Sequence, residues 1–262
     1  MKKDNFLNFF LSSLKYLNTI YNISFLDISL KYRRTVLGNY WIILTYLITI
    51  SIISVVWSTL LNAPLSEYFP RLFIGFTVFY LLISFTSSST DILSGQYQGI
   101  LLSLGVPINH VILRHLIFII LEYIPFIPVY FLILYFAGLN ISLSSLLFLP
   151  GLVLVFVNGY WIIFLISLLC ARFRDLGLFI NAIMSASLLL TPVLWDKSRL
   201  GQYESFVYLN PFTSFIEAIR DPLIGIAVNP IVYFLLILYL IIGFLISSSL
   251  YKHKKKLFNF WL

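Results

Sequence analysis

The chain has 262 residues, of which 60% are hydrophobic and only 10% charged, with a net charge of +7. Soluble domains carry roughly 25% charged residues, so the composition excludes a water-soluble fold and makes lipid the solvent. The basic excess is no nucleic-acid footprint, because the cations sit at the ends of apolar runs rather than in a stripe interleaved with exposed aromatics. The single cysteine, Cys170, excludes a disulfide framework within the chain and a thiolate metal cluster, and reads as a small packing residue.

Residues 1–22 alternate polar and apolar instead of forming the apolar core of a cleavable signal. Asn5, Asn8, Ser12, Lys15, Thr19 and Asn22 fall on one helical face, with Leu7, Phe10, Leu11, Leu14, Leu17 and Tyr21 opposite. The spacing predicts one amphipathic helix on the membrane surface, continuing through Asp27 to Lys31, Arg33 and Arg34. A helix packed on a soluble partner is the other reading. Residues 31–41 read K-Y-R-R-T-V-L-G-N-Y-W, three cations followed by two interface aromatics, Tyr40 and Trp41. Cations stay with water and headgroups while the aliphatic run beyond them crosses the hydrocarbon.

Six spans follow, at residues 38–61, 69–90, 109–137, 143–171, 176–194 and 230–250, with Pro125 and Pro128 breaking the third. Each meets the need for about 20 residues to cross about 30 Å. A single membrane domain results: residues 1–37 as interface helix, 38–250 as bundle and 251–262 as tail. Lys2, Lys3, Lys15, Lys31, Arg33, Arg34, Arg114, Arg172, Arg174, Lys252, Lys254, Lys255 and Lys256 fall on one side, and only Arg71, Lys197, Arg199 and Arg220 on the other. The positive-inside rule then puts both termini in the cytoplasm. The outer segment 195–229 is long for a structureless loop. Asn210-Pro211 reads as a helix cap before Phe212, Phe215, Ile216 and Ile219, and Asp221-Pro222 as its close. Short amphipathic helices dipping into the outer leaflet are expected there.

No phosphate-loop motif, H-E-x-x-H or G-x-S-x-G occurs, so ATP hydrolysis by a phosphate loop does not belong to this chain, and no catalytic or metal site is expected on it. His110 and His115 flank Arg114 and read as interfacial polar residues. Glu122 is the one ionisable residue placed near a bilayer midplane, where a carboxylate is costly. It serves a proton relay, a polar contact in a translocation path, or a tie between helices. The packing tie is preferred over the relay, since no second mid-membrane carboxylate exists to relay to. Trp57, Phe76, Phe79, Tyr80 and Phe85 lie in the first two spans, where rings stack on sugar faces or simply pack in lipid.

Four segments carry a resemblance: residues 31–41, A-R-F-R-D-L-G at 171–177, T-P-V-L-W at 191–195, and L-N-P-F-T-S-F-I-E-A-I-R-D-P-L at 209–223. In this order the chain resembles, over nearly its whole length, the membrane subunits of ABC-2 type polysaccharide exporters, which move O-antigen, capsule or teichoic-acid chains. The resemblance implies an all-α integral membrane fold of six spans, an N-terminal amphipathic interface helix and short outer-leaflet re-entrant helices. It implies a homodimer with a channel between its subunits, in the bacterial cytoplasmic (inner) membrane. It also implies two copies of a separate cytoplasmic ATPase subunit, which hold the ATP and Mg, with no cofactor on this chain.

Coupling to that ATPase maps to the interface helix and to the segment after the second span, where Gln96, Tyr97 and Gln98 break the apolar run and Ile100, Leu101 and Leu102 are expected to fill a groove on the ATPase. Arg33, Arg34, Arg172 and Arg174 are candidates for a lipid pyrophosphate headgroup; a topology-setting turn is the other reading of the last two. Tyr40, Trp41, Trp57, Phe76, Phe79, Tyr80 and Glu122 are candidates to line the channel. The rivals are an ABC-2 exporter of a drug or small lipid and a membrane-embedded acyl- or glycosyltransferase. For the latter the sequence offers only isolated Asp91, Glu122, His110 and His115.

Overall fold

The computed structural model describes residues 6–104, 106–139 and 143–254, and among these every regular element is helical. Among the described residues, five helices are long and apolar enough to cross a membrane: Tyr40–Leu61, Leu65–Gly95, Ile108–Phe136, Ser144–Arg172 and Pro230–His253. The chain is an all-α integral membrane fold, and the apolar side chains left on its surface, such as Ile52, Leu132, Leu190 and Leu245, face lipid at no cost.

The amphipathic start forms two helices rather than the one expected. α1 (Phe6–Leu14) and α2 (Leu17–Lys31) are separated by a turn at Lys15 and Tyr16. α1 sends Phe10 between α8 and α11, where its ring meets Tyr160 at 4.6 Å and Phe244 at 6.2 Å. α2 buries the stripe Ile20, Ser24 and Ile28, one residue per turn, against α6 (Ile108–Tyr123). Leu17, Tyr21, Phe25, Leu26 and Leu30 remain exposed on its other faces.

α3 (Tyr40–Leu61) touches the bundle through Ile43, Ile50, Ser54 and Ser58 and ends at Asn62 in the left-handed conformation (φ 52°). The central helix is α4 (Leu65–Thr86), which continues past its predicted end as a 3₁₀ turn at Ser88–Asp91 and a π turn at Ile92–Gln96. Tyr97 interrupts the run, and α5 (Gln98–Leu104) follows. The third span breaks at Ile124 and Pro125, where the ring cannot continue the hydrogen-bond ladder, and resumes as α7 (Phe126–Phe136).

After a 3₁₀ turn at Leu143–Leu147, α8 (Phe148–Arg172) runs back through the core. The fifth span is shorter than expected. α9 (Asp175–Leu190) covers 16 residues, about 24 Å against the ~30 Å of a hydrocarbon core. It stops because Pro192 forces Thr191 to an extended conformation (ψ 138°). Residues 191–195 then form a non-helical strap.

Beyond a 3₁₀ segment at Lys197–Leu209, α10 (Pro211–Leu223) starts as expected, with Asn210 Oδ1 accepting from the Phe212 N–H at 3.0 Å. It is packed within the bundle. Every residue from Thr213 to Leu223 is buried, against α4, α8 and α11 (Pro230–Lys254). Gly151 permits this: a Cβ there would stand 2.3 Å from the Ala218 carbonyl oxygen, so only glycine lets α8 approach α10 so closely. The bundle therefore has an α2 end and an α10 end.

Candidate functional site

At the α2 end, polar pairs advance along α1, α2 and α6 together. Asn109 donates to Ser12 of α1 at 3.0 Å, Ser24 of α2 donates to the Arg114 carbonyl at 3.0 Å, and Lys31 reaches Glu122 at 2.5 Å. α2 and α6 therefore run parallel, and α2 is fastened along its C-terminal half. Arg114 is the centre of this seam. Its guanidinium makes two bonds of 2.7 Å to the Asp27 carboxylate, and it lies 4.7 Å from the centre of the Tyr97 ring. A bidentate arginine–carboxylate pair fixes both distance and angle, so one side chain joins α2, α6 and the turn before α5. Burial pushes the Tyr97 phenol up in pKa, against the opposing charge of Arg114.

Glu122, midway along residues 108–136, is tied to the end of α2. It accepts hydrogen bonds from Lys31 and, at 2.8 Å, from Tyr32, where α2 ends and the turn into α3 begins. α6 packs along α2, which brings Glu122 level with the end of that helix. The side chain is a tie between helices: the carboxylate is 6% exposed, whereas Lys31 is 47% exposed. Burial and the bond to Glu122 push the Tyr32 phenol well above its ordinary pKa.

Among the coupling candidates, Tyr97 and Leu101 are buried in this chain's own core and Gln98 is half-buried. Leu101 therefore packs inward, and α5 turns Gly99 and Ser103 to the surface. The side chains of Gln96, Ile100 and Leu102 lie outside those described. The four headgroup arginines are all exposed but differ in surroundings. Arg33 and Arg34 occupy the turn between α2 and α3, Arg34 at φ 70°. Arg172 lies over the Phe173 ring at 5.0 Å, while Arg174 lines a polar cavity between the end of α8 and the start of α9.

The channel candidates divide. Tyr40 and Trp41 are exposed, Trp57 and Tyr80 half-buried, and Phe76 and Phe79 lie inside the subunit core, Phe79 edge-on to Phe212 at 6.1 Å. Tyr80 stacks on Tyr46 at 4.9 Å, and the Tyr46 hydroxyl meets that of Tyr123 at 3.2 Å, which in turn meets Ser84 at 3.1 Å. Sequence reading missed Tyr46 and Tyr123, although tyrosines recurring in apolar runs were a usable signal.

At the α10 end, two of the quoted segments fold onto each other. Arg220, 1% exposed, donates to Asp221 at 2.8 Å and to the Pro192 carbonyl at 2.7 Å, inside the strap. Tyr68 donates to the Leu194 carbonyl at 2.7 Å. Glu217 is met by Lys197 at 2.9 Å and by the Tyr208 hydroxyl at 3.1 Å, and Arg71 pairs with Asp196. Burial raises the Asp196 pKa, but the bonds from Arg71 and the Ser198 N–H outweigh it and hold the carboxyl well below the usual range. For Lys197, burial lowers the pKa and the bonds to Tyr208 and Glu217 reverse that, leaving the ammonium above its ordinary value. These charges make the helical stripe of α10 look amphipathic, yet each finds its partner within the protein.

The described residues contain no cluster of three metal-ligating side chains. No curated protein matches the chain. Residues 19–224 match the family described as ABC-2 type transporter, whose permeases normally work with an ATPase partner. That stretch contains the α2–α6 seam, the charged turn, the strap and α10. A multi-pass helical bundle with a polar seam at one end and a locked re-entrant helix at the other is thus the membrane component of a transporter, and the chain belongs to the ABC-2 type transporter family.

Proposed function

We propose that this chain is the permease subunit of an ATP-driven exporter that moves lipid-linked polysaccharide across the bacterial cytoplasmic membrane. It acts as a homodimer, with two copies of a separate ATPase subunit that hold ATP and Mg. The observation that carries this reading is the convergence of α2, α6 and the Tyr97 turn on Arg114. The two segments an ATPase is expected to push share one side chain, so a push on either reaches the third span. Exposed Tyr40 and Trp41 and the half-buried Tyr46–Tyr80 pair supply flat faces and hydroxyls suited to a glycan.

One feature favours the rival, an exporter of a small lipid or drug. An apolar groove of about 450 Å³ lies between α3, α4 and α7, lined by Ser54, Val55, Phe69, Ile133 and Phe136 among others. Inverted vesicles containing this chain and its ATPase separate the two readings. ATP-dependent uptake of a radiolabelled undecaprenyl-linked glycan is expected. Uptake of a short fluorescent lipid alone would overturn the polysaccharide reading.

A further inference from the structure

A cavity of about 290 Å³ opens at the α2 end, where the Ser88–Asp91 and Ile92–Gln96 turns meet the end of α8 and the start of α9. Thr90, Asp91, Ser94, Cys170, Arg174 and Asn181 line it. Its polar lining contrasts with the apolar groove between α3, α4 and α7. The Arg174 guanidinium has no hydrogen-bond or ion-pair partner among the described residues. Two close approaches shape the site. A Cβ at Gly95 would lie 2.3 Å from Asp91 Oδ1, so the carboxylate folds over a bare backbone. A Cβ at Gly177 would come 3.3 Å from Thr90 Cβ, which draws α9 against the 3₁₀ turn.

We propose that this cavity binds a glycosyl phosphate, with Arg174 on the phosphate and Asp91 accepting from sugar hydroxyls. The lining selects the ligand class. A guanidinium fork matches phosphate oxygens. A carboxylate beside it repels a bare phosphate but is a strong acceptor for hydroxyls, so a ligand carrying both groups satisfies both side chains. The hydroxyls of Thr90 and Ser94 and the Asn181 amide add further donors and acceptors. The volume lies at the low end of ligand pockets, roughly 300–1,000 Å³, which suits one sugar and one phosphate rather than a long chain. The inference rests on the polysaccharide reading above: the cavity would receive the sugar phosphate that joins glycan to lipid.

The test uses the full chain in nanodiscs, with Leu178→Cys in a Cys170→Ala background. Leu178 lines the cavity and is 76% exposed, so a thiol there reacts readily with maleimide. Glucose 1-phosphate is expected to slow labelling severalfold, and inorganic phosphate or glucose alone much less. Arg174→Gln and Asp91→Asn should each remove the protection while leaving the ligand-free labelling rate and melting temperature unchanged. Absence of protection in the folded protein overturns the site. Equal protection by inorganic phosphate, insensitive to Asp91→Asn, overturns the sugar. Glycan export in vesicles is scored separately. Full export by Arg174→Gln overturns the site and leaves the exporter standing, whereas protection without any glycan export leaves the site and removes the exporter.

Discussion

Arg220 and Lys31 each face a carboxylate, yet burial separates their contributions. The Arg220 guanidinium and the Glu217 and Asp221 carboxylates are 1%, 1% and 4% exposed. Removing the cation alone leaves the buried Asp221 carboxylate and the Pro192 carbonyl short of a donor, a loss of about 3–5 kcal/mol. Lys31 is half in solvent, so its attraction to Glu122 is screened and amounts to about 1 kcal/mol or less. Arg220→Met is therefore expected to lower the unfolding temperature in detergent far more than Glu122→Gln, whose amide oxygen still accepts from Tyr32. Equal shifts in the two variants would show that the α10 cluster is not the lock its geometry describes. Sequence reading singled out Glu122 and passed over Arg220 because it judged charge by distance along an apolar run. Depth in the bundle depends on how helices are staggered, and a run of apolar residues does not encode the stagger.

The elements tell a related story. Hydrophobic periodicity, proline and capping signals located the helices, the break at Pro125 and the cap at Asn210, because those are local properties of the chain. The lever was less legible. A helix followed by a span in sequence suggests that α2 pushes α3, but the structure fastens α2 to α6 through Asp27, Arg114, Lys31 and Glu122, residues up to 91 positions apart. Arg114→Lys keeps the charge and loses the two-bond fork, and hydrogen bonds to charged groups are worth about 1.5–3 kcal/mol. Export per ATP hydrolysed is expected to fall about tenfold or more, with the protein still folded and bound to its ATPase. The exchange Asp27→Arg with Arg114→Asp should recover part of the coupling. Unchanged coupling in Arg114→Lys would return the lever to α3. Leu101→Asp is a poor probe of the same question, since it puts a carboxylate into the core.

At the scale of the whole molecule, the two ends differ in how their charges are held. At the α10 end Arg71, Lys197 and Arg220 are each paired with a carboxylate, and Arg199 donates to the Leu61 carbonyl at 3.0 Å. At the α2 end Arg33, Arg34 and Arg174 are exposed and make no ion pair among the described residues. Unpaired arginines resist transfer across a bilayer, and it is the placement of Lys and Arg rather than net charge that orients a membrane protein. The α2 end is therefore expected to face the cytoplasm. Single cysteines at Ser103, exposed on α5, and at Ser205, exposed in the 3₁₀ segment before α10, report this directly in a Cys170→Ala background. In intact cells a membrane-impermeant maleimide should label Ser205→Cys and spare Ser103→Cys, and in inverted vesicles the pattern should reverse. The opposite pattern would put the Arg114 seam outside the cell, beyond reach of any ATPase, and would remove the coupling role together with the topology.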